Sequence, residues 1–246
     1  MEESPLRKYT VFTWKEADLR ICSGRTDVII EEIKLQREIL ERYIERHAEF
    51  QTTLVPIPLL DGAPEIALRM ARAAEPCGVG PMATVAGAMA EMAAAAARRC
   101  GADEAIVENG GDIFLDSPHE VLVGLYAGAH PLSGRLALRI QPSDMPLSVC
   151  SSSSRFGHSL SFGDCDLATI VAKSGALADA AATLAGNSVK SVADIDPTLR
   201  RVSSIPGILG LLIIKDDKVG VSGRLPELVK CDDPGFRTKA FHPESS

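Results

Sequence analysis

Asp179 and Thr183, four apart in the segment LADAAAT, put a carboxylate and a hydroxyl on one face of any helix that contains them. Such oxygens suit a hard cation, Mg²⁺ or Ca²⁺, with carbonyls, water or phosphate completing the shell. The plainer reading is an exposed helical Asp and a Thr bonding back to its own helix. A second constellation is VENGGDI, residues 107–113, where Asn109, Gly110, Gly111 and Asp112 lie between two β-like runs. Asn-Gly is a strong hairpin signal and accounts for the glycines without a ligand. Amides free of side chains can equally approach a phosphate, as in an anion-binding nest. The third is the run of residues 151–166, SSSSRFGHSLSFGDCD, with Ser152, Ser153, Ser154 and His158 in a loop between a strand and a helix. Loops on a rigid scaffold are where sites lie, although a solvated connector has the same composition. The serines lack the GxSxG frame of a nucleophile elbow. Cys150 ends the apolar run PLSVC with no neighbouring cation to lower its pKa, so it reads as a structural thiol.

The elements that must position these residues are legible from periodicity. A short strand near Leu19–Cys22 precedes an amphipathic helix with Ile29, Ile33, Leu40, Tyr43 and Ile44 at helical spacing and Asp27 as its expected N-cap. A second helix is expected from Pro64 to Ala74, and a third from about Pro81 to Cys100 between Gly80 and Gly101. Nearly every residue of the third is Ala, Met, Val or Gly, so it is expected at the centre of the molecule, packed under a sheet. The segments EAIVENGGDIFLDS, EVLVGLYAG, RLALRIQP and PLSVCSSSS then alternate β-rich runs with turn residues and predict an antiparallel or mixed sheet. A last helix is expected over Ala176–Ala185, followed by a hairpin in GILGLLIIKDDKVGVSG that turns near Asp216–Lys218. This order predicts an α+β fold rather than a doubly wound sheet. Residues 1–230 are expected to form a single domain made of two α+β halves, with 231–246 a poorly ordered tail.

Composition excludes several classes. The chain has 246 residues, 46% of them hydrophobic, and a net charge of −7 with its Lys and Arg residues scattered, so nucleic acid is not an expected partner. No apolar run is long enough to span a bilayer and the start lacks a signal-peptide apolar region, so a cytoplasmic protein is expected. Six cysteines without short paired spacing predict reduced thiols rather than a zinc site. Neither GxGxxG nor a Walker loop is present.

The ordered set GVGPMATVAGAMA (78–90), ENGGDI (108–113), GHSL (157–160) and LADAAAT (177–183) resembles the ApbE superfamily, whose best-known members are FAD:protein FMN transferases. VGPMA and SSSSRFGHSLSFGDCD resemble more closely still an uncharacterised ApbE-related branch of anaerobic bacteria and archaea, linked to sulfur assimilation and homocysteine formation. The resemblance implies an ApbE-like α+β fold in which Asp179, Thr183 and the backbone carbonyl of Ala83 hold Mg²⁺. It also implies a nucleotide such as FAD or FMN near Gly110, Gly111 and Asp112, with Asn109 and Thr84 beside it, and His158 with Ser152, Ser153 and Ser154 orienting the reacting group. The ligand would be a small anion or nucleotide, and a homo-oligomer is left open. Two departures bear on the reaction. Ala83 is followed by Thr84 and Val85 where the transferases read Ala-Lys-Gly, and only 4% of residues are aromatic. Flavin transfer to a protein threonine is therefore not the expected activity. The alternatives are a sulfur-assimilation enzyme and a non-catalytic accessory protein.

Overall fold

Most of the β-forming residues are used in one broad sheet whose two faces are covered differently. The computed structural model describes residues 7–15, 17–128, 130–153 and 163–231. A hairpin, β1 (Thr10–Trp14) and β2 (Ala17–Ser23), leads into α1 (Thr26–Arg46), α2 (Glu49–Thr52) and α3 (Glu65–Cys77). A 3₁₀ turn at Pro81–Thr84 then opens α4 (Val85–Arg99). The hairpin β3 (Ala105–Asn109) and β4 (Asp112–Asp116) follows, then β5 (Val121–Leu125) and β6 (Leu136–Ile140). Next come β7 (Leu147–Ser152), β8 (Leu167–Ala172), α5 (Gly175–Ser188) and α6 (Ile195–Ser203). The chain closes with β9 (Ile208–Lys215), β10 (Lys218–Gly223) and β11 (Glu227–Lys230).

Eight strands form the large sheet in the order β1-β2-β3-β4-β7-β8-β9-β10, and β11-β6-β5 form a small one. Among the described residues every pairing is antiparallel. Two α+β halves are evident. Each consists of a hairpin, a helical segment and a second hairpin, and they join along β4 and β7, where Phe114 stands opposite Ser148. Alternation along β4 sorts its side chains: Phe114 packs with Ala90 and Ala93 on the helical face, while Ile113 and Leu115 pack with Val123 and Leu138 of the small sheet.

The Ala-rich helix is central as its composition requires. Ala88, Ala90, Ala93, Ala94 and Ala97 of α4 are all but fully buried. In α5, Ala178, Ala180, Ala181 and Ala185 are buried as well. Side chains this small let backbones approach closely, which is what the centre of the fold exploits.

Several expectations are corrected. Asp27 lies in the first turn of α1, whose N-cap is Arg25 with no side-chain cap bond, so Asp27 acts on the helix dipole instead. The helix expected to end at Ala74 runs on to Cys77, and the one expected from Pro81 begins as a 3₁₀ turn. Strand β8 escaped periodicity because all six of its residues are buried. Helix α6 escaped because IDPTLRRVS reads as polar, yet Ile195, Leu199 and Val202 turn to the core. Cys231, which the expected tail includes, is buried, and its N–H donates to the Arg135 carbonyl at 2.9 Å. Residues 232–246 lie outside the described residues. Among the described residues, no single helix is long and apolar enough to cross a membrane.

Candidate functional site

The helices α4 and α5 meet near their N-termini at two glycines. A Cβ added to Gly87 would stand 2.2 Å from the Gly175 carbonyl oxygen, and one added to Gly175 would stand 2.3 Å from the Gly87 carbonyl oxygen. Only glycine permits that approach. One turn along α5, the buried Asp179 accepts the Gly87 N–H on Oδ2 at 3.0 Å. This N–H is an orphan donor of the first turn of α4, so the carboxylate serves the positive end of that helix.

Beneath the crossing, at the seam of the large sheet, lie Asp112 on β4 and Cys150 on β7. Asp112 is 8% exposed, and its Oδ1 has no hydrogen-bond partner among the described residues. Burial pushes its carboxyl up to about 7, with the Glu108 charge adding to the rise, while the neighbouring Cys150 thiol and Ser151 N–H oppose it. Burial likewise pushes the Asp179 carboxyl well up, and the neighbouring Asp112 charge adds to this against the Gly87 and Ala86 N–H bonds. Cys150 is fully buried, with its Sγ 3.7 Å from the Gly175 carbonyl. Its thiol is held protonated by burial and by the charges of Asp112 and Asp179. Among the described residues, no Lys, Arg or His forms an ion pair with either carboxylate.

The Asn109–Asp112 turn borders the same place. Asn109 Nδ2 donates to the Ala86 carbonyl at 3.4 Å, tying the turn to the start of α4. Gly110 and Gly111 have φ of +62° and +102°, and among the described residues no atom beyond their chain neighbours lies within 4 Å of where their Cβ atoms would be. The hairpin therefore requires both glycines, as the turn reading expects. The Gly110 N–H donates to the Asp18 carbonyl at 3.3 Å, so this amide is engaged within the protein.

The remaining expected residues distribute along α5. Thr183 is half-buried one turn beyond Asp179. Ala83, in the Pro81–Thr84 turn, packs against the core cluster that contains Ala178 and Ala182. Thr84 is buried and its hydroxyl donates to the Pro81 carbonyl at 2.7 Å, which directs it into its own turn. Ser152 sits at the far end of α5, where its Oγ would be 2.8 Å from a Cβ on Gly186. Ser153 is the last described residue before the gap in the description, and Ser154 and His158 lie outside the described residues. Beyond that gap, the Asp164 N–H donates to the Val189 carbonyl at 2.8 Å, again at the C-terminal end of α5. Asn109, Asp112 and Asp179 thus gather at the start of α4, while Ser152 and Asp164 lie at the other end of α5. Among the described residues, no group of three or more His, Cys, Asp or Glu side chains is placed to hold a metal ion. Sequence reasoning passed over Glu91, a lone carboxylate within the Ala-rich helix. Its signal was a spacing shared by Gly87 with Glu91 and Gly175 with Asp179.

Antiparallel sheets, a buried Ala-rich helix and carboxylates at its N-terminus define an ApbE-like α+β protein. The fold is similar to the solved structure of an ApbE protein from Thermotoga maritima, with a TM-score of 0.55 at 11% identity over 96% of this chain and 100% of that one. It is also similar to a flavin transferase ApbE from Vibrio cholerae, with a TM-score of 0.54 at 11% identity over 88% of this chain and 97% of that one. The family model described as "AbpE bacteria" matches residues 4–204, and the chain belongs to that ApbE-related family. Among its relatives are a UPF0280 protein of Methanocaldococcus jannaschii, 43% identical over 82% of this chain and 84% of the relative. Another, from Methanocella arvoryzae, is 42% identical over 92% of each chain.

Proposed function

We propose that this protein binds a phosphate-bearing, flavin-like nucleotide or another small anion with the help of Mg²⁺ at the start of α4 and along the adjoining face of α5. The observation that carries this reading is the pair of buried carboxylates, Asp112 and Asp179, with no cationic side chain paired to either among the described residues. Buried charge of one sign calls for a counter-ion or a retained proton.

The residues present fit a hard cation. Asp179 supplies a carboxylate, Thr183 a half-buried hydroxyl one turn further on, and Ala83 a backbone carbonyl in the turn packed against α5. These are oxygen donors, and three of them leave room for water or ligand oxygens. Bound there, the ion would offset charge building on a phosphate oxygen. The chain's own contributions are distinct from this. Asn109 fixes the glycine turn against α4, and among the described residues nothing crowds Gly110 and Gly111, which suits the approach of a ligand. With Thr84 and Val85 in place of a Lys-Gly pair, no lysine from this segment neutralises a pyrophosphate, so more of that role falls to the cation. The Vibrio cholerae neighbour is described as a flavin transferase, which makes FAD the first ligand to try. Cleavage or transfer at a diphosphate is the reaction class that suits these groups.

Calorimetric titration of FAD, FMN, ADP and pyrophosphate, in Mg²⁺ and in EDTA, tests this. We expect Mg²⁺-dependent binding that weakens about tenfold or more in Asp179→Ala. Because Asp179 also caps α4, Asp179→Asn is run in parallel, since its amide oxygen can still accept the Gly87 N–H while the charge is lost. Equal affinity in both folded variants would remove Asp179 from the site. No binding of any of the four ligands to wild type would sink the nucleotide reading and leave an accessory protein as the better account. Sulfide chemistry at Cys150 gains no support from its burial and raised pKa, because the thiolate is the nucleophile.

A further inference from the structure

The capping of α4 by Asp179 is one half of a reciprocal arrangement. In α4, Gly87 is followed one turn later by Glu91; in α5, Gly175 is followed one turn later by Asp179. Each acid accepts the N–H of the other helix's glycine: Asp179 that of Gly87 at 3.0 Å, and Glu91 Oε2 that of Gly175 at 2.7 Å. Glu91 Oε2 also accepts the Ser174 hydroxyl at 3.2 Å. Its other oxygen is held from α3 by Arg69 at 3.1 Å, and Arg69 is itself anchored by Glu65 at 2.8 Å. A single side chain therefore ties three helices together.

A mostly buried carboxylate is an expensive way to fill an Ala-rich helix, and its side chain is only 19% exposed. The first turn of α5 already has a cap in Ser174, whose Oγ accepts the Leu177 N–H at 3.5 Å, a long bond. Glu91 adds direction. Its bond to the first N–H of α5 sets the axial position and rotation of that helix relative to α4. In a helix, a slip of one residue turns every side chain by about 100°, which would carry Asp179 and Thr183 off the face they share.

We propose that Glu91 is a positioning residue for the candidate cation site: by holding the Gly175 N–H it places Asp179 against α4 and aligns Thr183 beside it. The proposal rests on the reading of Asp179 and Thr183 as cation ligands, whereas the placement of Asp179 can be read without a cation. Glu91 itself touches neither cation nor ligand.

The test compares Glu91→Ala and Glu91→Gln with wild type in two measurements: Mn²⁺ affinity by calorimetry, and native-state amide exchange at Gly87. The Gly87 amide donates to Asp179, whereas the Glu91 carboxylate accepts from Ser174 and Gly175, so protection at Gly87 reports where Asp179 sits. Glu91→Ala is expected to weaken Mn²⁺ binding about tenfold in folded protein and to speed exchange at Gly87. Glu91→Gln keeps an acceptor for the Gly175 N–H and is expected to restore both. If Glu91→Ala does not fold, Glu91→Asp, shorter by one methylene, takes its place with the same expectations. Unchanged affinity with unchanged Gly87 protection would overturn the proposal, as would a Gln variant that behaves like Ala. If wild type binds no Mn²⁺, the cation reading fails separately, and Gly87 exchange alone decides whether Glu91 places Asp179.

Discussion

Asp112 sits at the centre of the molecule with one carboxyl oxygen unpartnered among the described residues and its pKa raised to about 7 from 3.8. The folded protein therefore retains a proton there that the unfolded chain releases. Stability linked to this group is fully present below the unfolded value, near 3.8, and is lost as pH rises through the folded value of about 7. Comparing metal-free wild type with Asp112→Asn removes this group's titration together with its effect on Asp179, because the asparagine stays neutral throughout. In urea unfolding with EDTA, the variant should gain on wild type as pH rises from 4 to 7, with the gain levelling off above the folded value. A difference that stays flat over this range would mean that the carboxyl titrates normally. Asp179 has a raised carboxyl too, so part of the pH slope should survive in Asp112→Asn.

The crossing of α4 and α5 is where helix propensity and packing oppose each other. Replacing a helical glycine with alanine ordinarily stabilises a helix, by up to about 1 kcal/mol in its interior and by less in a first turn. At Gly87 the new methyl would stand 2.2 Å from the Gly175 carbonyl oxygen and 2.9 Å from Asp179 Cβ. The helices would have to part, stretching the Gly87 bond to Asp179 and the Gly175 bond to Glu91 together. Overpacking of this kind costs about 1–3 kcal/mol, so Gly87→Ala should destabilise despite its better propensity. Chemical denaturation reads the sign directly, and a stabilised variant would mean a looser crossing than this geometry.

The two halves of the whole molecule share their cores. One cluster joins Ala74, Cys77 and Val79 of the first half to Ile170, Leu184 and Leu211 of the second. Another joins Ile106 and Leu115 to Leu167 and Leu212 beneath the small sheet. With β4 paired to β7 at the seam, neither half can open without exposing the other's apolar surface. Scanning calorimetry should therefore show one transition whose calorimetric and van't Hoff enthalpies agree. Two resolved transitions would mean that the halves fold as separate domains.

What the sequence determined by itself was local. Alanine and glycine spacing located the central helix, Asn-Gly-Gly located the β3–β4 turn, and the interval of four put Asp179 and Thr183 on one helical face, because each depends only on backbone period and neighbouring φ preferences. Tertiary structure decided what these residues meet. It brought Asp112 beneath Asp179, engaged the Gly110 amide with the Asp18 carbonyl, and turned Glu91 to the first turn of α5. It also buried all of β8 and half-hid the polar-looking α6. Partners far apart along the chain leave no periodic trace in it. Burial on both faces of a strand erases the alternation that would mark it, so only the packed fold could tell which carboxylates are buried and which lie at the surface.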